Sequence, residues 1–256
     1  MEINIIPKFL DEAVTPLAQR AGNTLSSIWT IAFGGIDIYA EKTQLKRVNA
    51  LNQFKEELEQ AVSSIPEENI VEPPLHIVGP SLEASKYYFE SSDLRTMFAN
   101  LISASMNAAT ISQTHPSFVE IIKQLSPLDA INLKLFKTSS RYPIAQYDYI
   151  YHNGGNAPCK ANIFLENTEN KEIDLNATSI SNLDRLGLIS ISYEHYLNND
   201  AYYEKYVSHS FFKEVTQMLE QQNSNSDGSF PFKNIDIRKG IVDITPLGQN
   251  FIEVCI

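Results

Sequence analysis

Proline sets how far any helix in this chain can run. The residue has no backbone N–H to donate, and its ring collides with the preceding turn, so it is at home only at the start of a helix. The chain of 256 residues holds 12 prolines, and Pro66, Pro73-Pro74, Pro116, Pro127 and Pro246 fall between apolar patterns, while Pro16 is a restart point within one. That punctuation predicts a mainly helical protein built from short helices.

The patterns between the prolines bear this out. Leu10, Val14, Leu17 and Ala21 recur at helical spacing from Phe9 to about Ala21, with Pro16 behind Thr15 as a restart point. Val48, Leu51, Phe54, Leu58 and Val62 form a second stripe, interleaved with Lys55, Glu56, Glu57 and Glu59 as its wet side and stopped by Pro66. Glu72-Pro73-Pro74 reads as a connector. Helical spacing then returns over Ser81 to Phe89 and again over Leu94 to Met106, with Asp93 where a helix dipole favours negative charge. His115-Pro116 and Ser126-Pro127-Leu128-Asp129 mark two further starts, the second with an acid three residues after a serine.

Past about Lys137 the character changes. Tyr147 to His152 is aromatic and β-prone, and Asn153-Gly154-Gly155-Asn156 is a turn cluster. Asn176 to Ile189 reads as a helix closed by Gly187 in a left-handed cap, and Ile189 to Tyr193 as a strand. A helix over Ala201 to Gln222 runs into a polar loop, Asn223 to Gly228. Ile235 to Ile244 reads as a hairpin turning at Lys239-Gly240, and Thr245-Pro246 opens a last helix through Phe251. The expected architecture is therefore mainly α with a small β component (α+β). A helical bundle over residues 1–125 would pack on a winged-helix-like module over 126–256 that carries an inserted helix.

Composition narrows the function classes. With 43% hydrophobic residues, 12 Tyr and 13 Phe, the chain folds. A net charge of −11 repels phosphate backbones and anionic lipid surfaces. Residues 126–256 alone hold 11 Lys and Arg against 16 Asp and Glu, leaving −5. Cys159 and Cys255 stand outside any C-x-x-C pattern, which predicts neither a disulfide framework nor a zinc knuckle and suits a reducing compartment. Met1-Glu2-Ile3-Asn4-Ile5-Ile6-Pro7 lacks the basic start and apolar core of a secretory signal, so export is not expected. The longest uncharged run, between Arg20 and Asp37, falls short of the roughly 20 apolar residues that span a bilayer.

Few constellations carry chemistry. His76, His115, His152, His195 and His209 include no pair at helical spacing, and no phosphate cradle, nucleophile elbow or H-E-x-x-H string occurs. No catalytic residue, metal ligand or cofactor is expected. Ile28, Trp29, Ile31, Phe33 and Ile36, around Gly34-Gly35, offer either a buried helix or a surface for a partner or a membrane interface. Thr178, Ser181, Asn182 and Arg185 on the helix before Gly187, with Arg238 and Lys239 at the expected hairpin, are the residues a winged helix would offer to a DNA groove and its phosphates. Glu172, Asp174 and Asp184 beside them oppose that use.

Several segments together resemble one family. They are Glu72-Pro73-Pro74-Leu75, the stretch Leu94-Arg95-Thr96-Met97-Phe98-Ala99-Asn100-Leu101-Ile102, and His115-Pro116-Ser117-Phe118-Val119-Glu120-Ile121-Ile122-Lys123-Gln124-Leu125-Ser126-Pro127. Asn182-Leu183-Asp184-Arg185-Leu186-Gly187-Leu188-Ile189 and Thr245-Pro246-Leu247-Gly248-Gln249-Asn250-Phe251 complete the set. The chain resembles the Abi-alpha family, long catalogued as a domain of unknown function and linked to abortive infection. The resemblance runs over most of the chain, and the segment from His115 to Leu125 is its most specific part. It implies a bacterial cell that defends its population against phage by halting or killing infected cells, and it supplies no catalytic residues. Two readings follow. One is a cytoplasmic, non-enzymatic defence protein that acts through contacts with a protein partner or phage component, as a homo-oligomer or at the periphery of the inner membrane. The other is a winged-helix DNA-binding regulator.

Overall fold

The computed structural model describes residues 9–34, 42–225 and 229–256. They form two compact units, one of Met1–Ala130 with Asn250–Ile256 and the other of Ile131–Gln249. The protein is mainly helical with one small antiparallel sheet, the α+β class that the sequence predicts.

The first unit is helical. Helix α1, Pro16–Phe33, has proline in its first turn, and the Thr15 hydroxyl accepts the Ala18 N–H at 3.3 Å. The helix thus carries the end of the pattern read from Phe9 to Ala21 together with Ile28, Trp29, Ile31 and Phe33. Glu67 reinforces its start from a distance, accepting the N–H groups of Val14 and Thr15 at 3.0 and 3.1 Å. The Val14 bond leads the effects that hold its carboxyl below the usual range. Helix α2, Lys42–Ser63, packs on α4, Ser92–Ser105, which also carries α3, Leu75–Ser85. Helix α3 begins six residues before the expected start at Ser81, because Pro80 lies inside it and forfeits one intrahelical hydrogen bond without ending it. Helix α5, Ser117–Ile122, starts where His115-Pro116 predicts, and the His115 ring accepts the Ser117 N–H at 3.1 Å.

Aromatic rings fill this core. Trp29 lies 4.4 Å from Phe33 and stacks on Phe54 at 5.4 Å, while Phe9 meets Trp29 edge-on at 5.8 Å. Arg95 is 7% exposed and is neutralised from α2, where Glu57 accepts from two of its guanidinium nitrogens at 2.9 and 2.6 Å. Glu57, expected on the wet side of its helix, is therefore an anchor for a buried charge.

The second unit is built on the sheet. Helix α6, Pro127–Leu135, opens with the reciprocal cap that the sequence predicts: Ser126 N–H donates to the Asp129 carboxylate at 2.7 Å, and Asp129 N–H donates to the Ser126 hydroxyl at 3.2 Å. Strand β1, Arg141–Tyr151, and strand β2, Asn156–Ile163, are joined by the Asn153 to Asn156 turn. Helix α7, Ile173–Arg185, ends at Gly187, whose φ of 72° supplies the left-handed cap, and strand β3, Ile189–Ser192, follows.

The helix expected over Ala201 to Gln222 is broken into α8, Glu204–Ser208, and α9, Ser210–Asn225. His209 between them is extended, and its ring accepts the Phe211 N–H at 3.2 Å, which caps the second piece. Strand β4, Phe232–Ile244, and helix α10, Pro246–Cys255, complete the chain. The sheet order is β2-β1-β4-β3, antiparallel throughout. Residues Ser226 to Gly228 of the expected polar loop lie outside the described residues, and Asn223 to Asn225 still belong to α9.

The hairpin expected over Ile235 to Ile244 is absent. Gly240 sits mid-strand, paired with Ile144, so Arg238 and Lys239 are interior positions of a single long strand rather than the tip of a wing. Glycine is required there for close approach: a Cβ would stand 2.7 Å from the Ser192 carbonyl and from the Tyr193 ring.

One face of the sheet is sealed by Ala145, Tyr147, Ile163, Ile235 and Leu219, with Tyr203 and Tyr206. Tyr203 donates to Gly240 O and Tyr206 to Pro143 O, both at 2.8 Å. A buried amide chain supports α6 against α7: Asn132 donates to Ser179 Oγ at 2.9 Å, and Asn167 donates to Asn132 Oδ1 at 2.7 Å. Replacing Phe54 by Ala should lower the unfolding free energy by about 3–5 kcal/mol in a urea titration, the usual cost of emptying a packed aromatic site; a loss below about 1 kcal/mol would contradict the stacked core.

Candidate functional site

Side chains alternate across a strand, so Gln146 and Asp148 of β1 share the sheet face opposite the aromatic core. Register brings Arg238 opposite Gln146 and Asp236 opposite Asp148, all on that face. Asp148 is only 4% exposed, and Gln146 Nε2 donates to its carboxylate at 2.7 Å. Two carboxylates directly across a strand pair repel, and Arg238, one step along the same face, offsets them.

The pairing of β1 with β2 shifts register on both sides of Tyr147, and such bulges re-aim side chains. Just beyond, Asn162 takes a left-handed φ of 55°, a conformation Asn tolerates better than most residues. That turn presents Asn162 to Tyr193. The Tyr193 hydroxyl accepts the Asn162 N–H at 2.9 Å and donates to its side-chain carbonyl at 3.0 Å, while Asn162 Nδ2 donates to Ser181 Oγ on α7 at 2.9 Å. The Arg238 guanidinium lies 5.6 Å from the Tyr193 ring centroid.

The result is a polar patch on the sheet: a buried carboxylate, a guanidinium held on an aromatic face, two amides and a phenol. Burial pushes the Tyr193 phenol up to about 12, with Asp148 adding to the rise and the Asn162 N–H and Arg238 opposing it. Tyr193 is neutral at physiological pH and is held there as a hydrogen-bonding group. These groups can recognise and hold. The Ser–His contacts of the described residues are local, His115 with Ser117 at 2.6 Å and Ser192 with His195 at 3.3 Å, in exposed turns where each histidine meets a neighbour in sequence.

The residues that the sequence nominates are placed as follows. Trp29 is 1% exposed and Phe33 is likewise buried, the buried-helix alternative for both: Trp29 stacks on Phe54, and Phe33 meets the same ring edge-on. Ile28 is half-buried, Ile31 is 84% exposed, and Ile36 lies outside the described residues. Thr178 donates back to Asp174 O at 2.9 Å, Ser181 to Ala177 O at 2.7 Å, and Arg185 to the Asn182 side chain at 2.7 Å. Lys239 donates to Asp200 at 2.7 Å with its ammonium 5.5 Å from the Tyr203 ring. Arg238 joins the patch, and Ser181 borders it by accepting from Asn162. Asp148, Asn162 and Tyr193 escaped the sequence reading, although Gln146 and Asp148, two apart in a β-prone run, were a usable signal.

Elsewhere in the first unit a cleft of about 450 Å³ is lined by Asp11, Glu12, Glu59 and Glu67 above Ile65 and Ile70. Cys159 and Cys255 are both free thiols, and complete burial pushes the Cys255 thiol well up. Among the described residues no cluster of three or more His, Cys, Asp or Glu could hold a metal ion, and no helix is long and apolar enough to cross a membrane.

Comparison with known proteins gives one match. A family model described as abortive infection alpha matches residues 46–255, from within α2 to the end of α10, which leaves α1 outside it. No curated protein and no solved structure matches.

Raised phenol values make a pH prediction. Tyr193 at about 12 and Tyr149 at about 12 stand above the ordinary value near 10, so their folded forms favour the neutral phenol. That contribution is whole below pH ~10 and is lost as the pH climbs towards ~12. The thermal midpoint should fall across this window, and Tyr193→Phe should flatten the fall; an unchanged slope in the variant would contradict a buried, neutral phenol.

Proposed function

The chain belongs to the abortive infection alpha family, and on that premise we propose that it is an anti-phage defence protein that works inside a bacterial cell by contact with other proteins rather than by turning over a substrate. Its partner is a protein of the host or a phage component. What supports the reading is the chemistry of the sheet patch, where Asp148, Asn162, Tyr193 and Arg238 are preorganised for recognition and the phenol is held neutral. The exposed Ile31 on α1 is a candidate peripheral contact with a partner or the inner membrane leaflet.

A winged-helix regulator of DNA is the weaker alternative. It needs Thr178, Ser181, Asn182 and Arg185 free to reach base edges, and their side chains are bonded within α7 and, for Ser181, also to Asn162. It needs a wing at Arg238 and Lys239, and β4 is continuous there. The net charge of −11 opposes approach to a duplex.

Two measurements test the proposal. Expression in a phage-sensitive bacterium should lower plaque counts for at least one phage of a broad panel relative to the empty vector, and equal plating throughout would contradict a defence role. Titrated with mixed duplex DNA at low ionic strength, the purified protein should show no salt-dependent retention; retention that disappears as salt is raised would restore the regulator.

A further inference from the structure

The turn between β1 and β2 is exposed from His152 to Asn156 and holds the one Asn-Gly pair of the chain, Asn153-Gly154. Tyr151 N–H donates to Gly155 O at 2.8 Å, and Gly154 N–H donates to Tyr151 O at 3.1 Å. Gly154 takes a φ of 86°, in the left-handed region where glycine alone sits without strain. The Asn153 side-chain carbonyl accepts the Gly155 N–H at 3.0 Å, which folds that side chain back over the Gly154 peptide. Asn153 Nδ2 has no partner among the described residues.

The same side-chain turn recurs at Asn107, Asn167, Asn170 and Asn199, each accepting the N–H two residues ahead at 2.9 or 3.0 Å. Those four are followed by Ala108, Thr168, Lys171 and Asp200, whose Cβ atoms shield the backbone nitrogen next to the asparagine. At Asn153 alone that nitrogen belongs to a glycine, which has no Cβ and the freest backbone. Asn223 is the opposite case: its Nδ2 donates to the carbonyls of Leu219, Phe232 and Lys233 and is held by all three.

We propose that Asn153 is a site of spontaneous deamidation, where the β1–β2 turn converts to aspartyl and isoaspartyl forms as the protein ages. The bond from Gly154 N–H to Tyr151 O opens first, a local event of low cost in an exposed turn. Hydroxide takes the Gly154 proton, the nitrogen bonds to Asn153 Cγ to close a five-membered imide, the Cγ–Nδ2 bond breaks, and Nδ2 leaves as ammonia with a proton from water. A second water opens the imide. Opening at Cγ gives aspartate; opening at the main-chain carbonyl carbon of Asn153 gives isoaspartate, with the main chain rerouted through the side chain. Nothing is oxidised or reduced: the amide and water become a carboxylate and ammonium. Each product puts a new negative charge beside His152, and isoaspartate also lengthens the main chain inside the loop that Tyr151 and Gly155 close, which loosens the end of the β1–β2 pairing.

The purified full chain, held at mildly alkaline pH for days, digested and read by peptide mass spectrometry, tests this, with circular dichroism confirming that each variant is folded. The peptide holding residue 153 should gain the mass that separates an amide from an acid, at a rate at least about tenfold above those of Asn107, Asn167, Asn170 and Asn199. Hydroxylamine added midway should trap the imide and cut the chain between Asn153 and Gly154. Gly154→Ala, whose added Cβ meets no atom within 4 Å although its φ is strained, should slow the conversion by at least about tenfold. Asn153→Gln, which would have to close a larger ring, should remove the mass gain at that position and keeps the test open if the alanine variant misfolds. An Asn153 that stays an amide, conversion no faster there than at the four comparison sites, or a folded Gly154→Ala as fast as its parent would overturn the proposal. The readout is chemical, so it succeeds or fails independently of phage plating.

Discussion

From Arg141 opposite Asp243 to Ile150 opposite Asn234, β1 and β4 run in one unbroken antiparallel register. Most of what is distinctive in the second unit follows from that ladder. Arg141 and Asp243 clamp one end in a two-pronged ion pair at 2.5 and 2.9 Å. Because side chains alternate, the ladder sends Ala145, Tyr147 and Ile235 into the aromatic core and leaves Gln146, Asp148 and Arg238 together on the other face. Because backbone groups alternate as well, it turns one set of β4 amides away from β1. Slipping the register by one residue would exchange the two faces and dissolve both the core and the patch.

Local chemistry was legible in the sequence wherever one or two residues decide the backbone. Pro16 behind Thr15, Ser126 with Asp129, Gly187 and Pro246 each mark a helix boundary that the structure keeps. Gly240 misled because glycine between two apolar runs reads as a turn, yet packing holds it inside a strand. Gly240 is there to let Tyr193 and Ser192 lie against the strand, a demand set by a neighbour about 50 positions away in sequence and invisible to periodicity. Strand β2 was missed because Asn156 to Ile163 contains Pro158, and its register shifts spoil any clean alternation.

The site was harder still to read. Asp148, Asn162, Tyr193 and Arg238 come from three strands or strand ends and a left-handed residue, brought together by a bulge. Trp29 and Phe33 were ambiguous in another way: an uncharged stretch with aromatics suits a buried helix or a sticky surface equally, and in this chain those rings are core. Family membership supplies the biological setting, abortive infection, while the geometry supplies a polar patch on the sheet that the proposed recognition rests on.

The continuous β4 with its alternating faces is the claim on which core and patch both depend. Residue-resolved amide hydrogen exchange by NMR reads it directly. The amides of Asn234, Asp236 and Arg238 should be protected while those of Ile235 and Lys239 exchange quickly. Equal protection of odd and even positions, or a fast-exchanging break at Lys239 and Gly240, would contradict it.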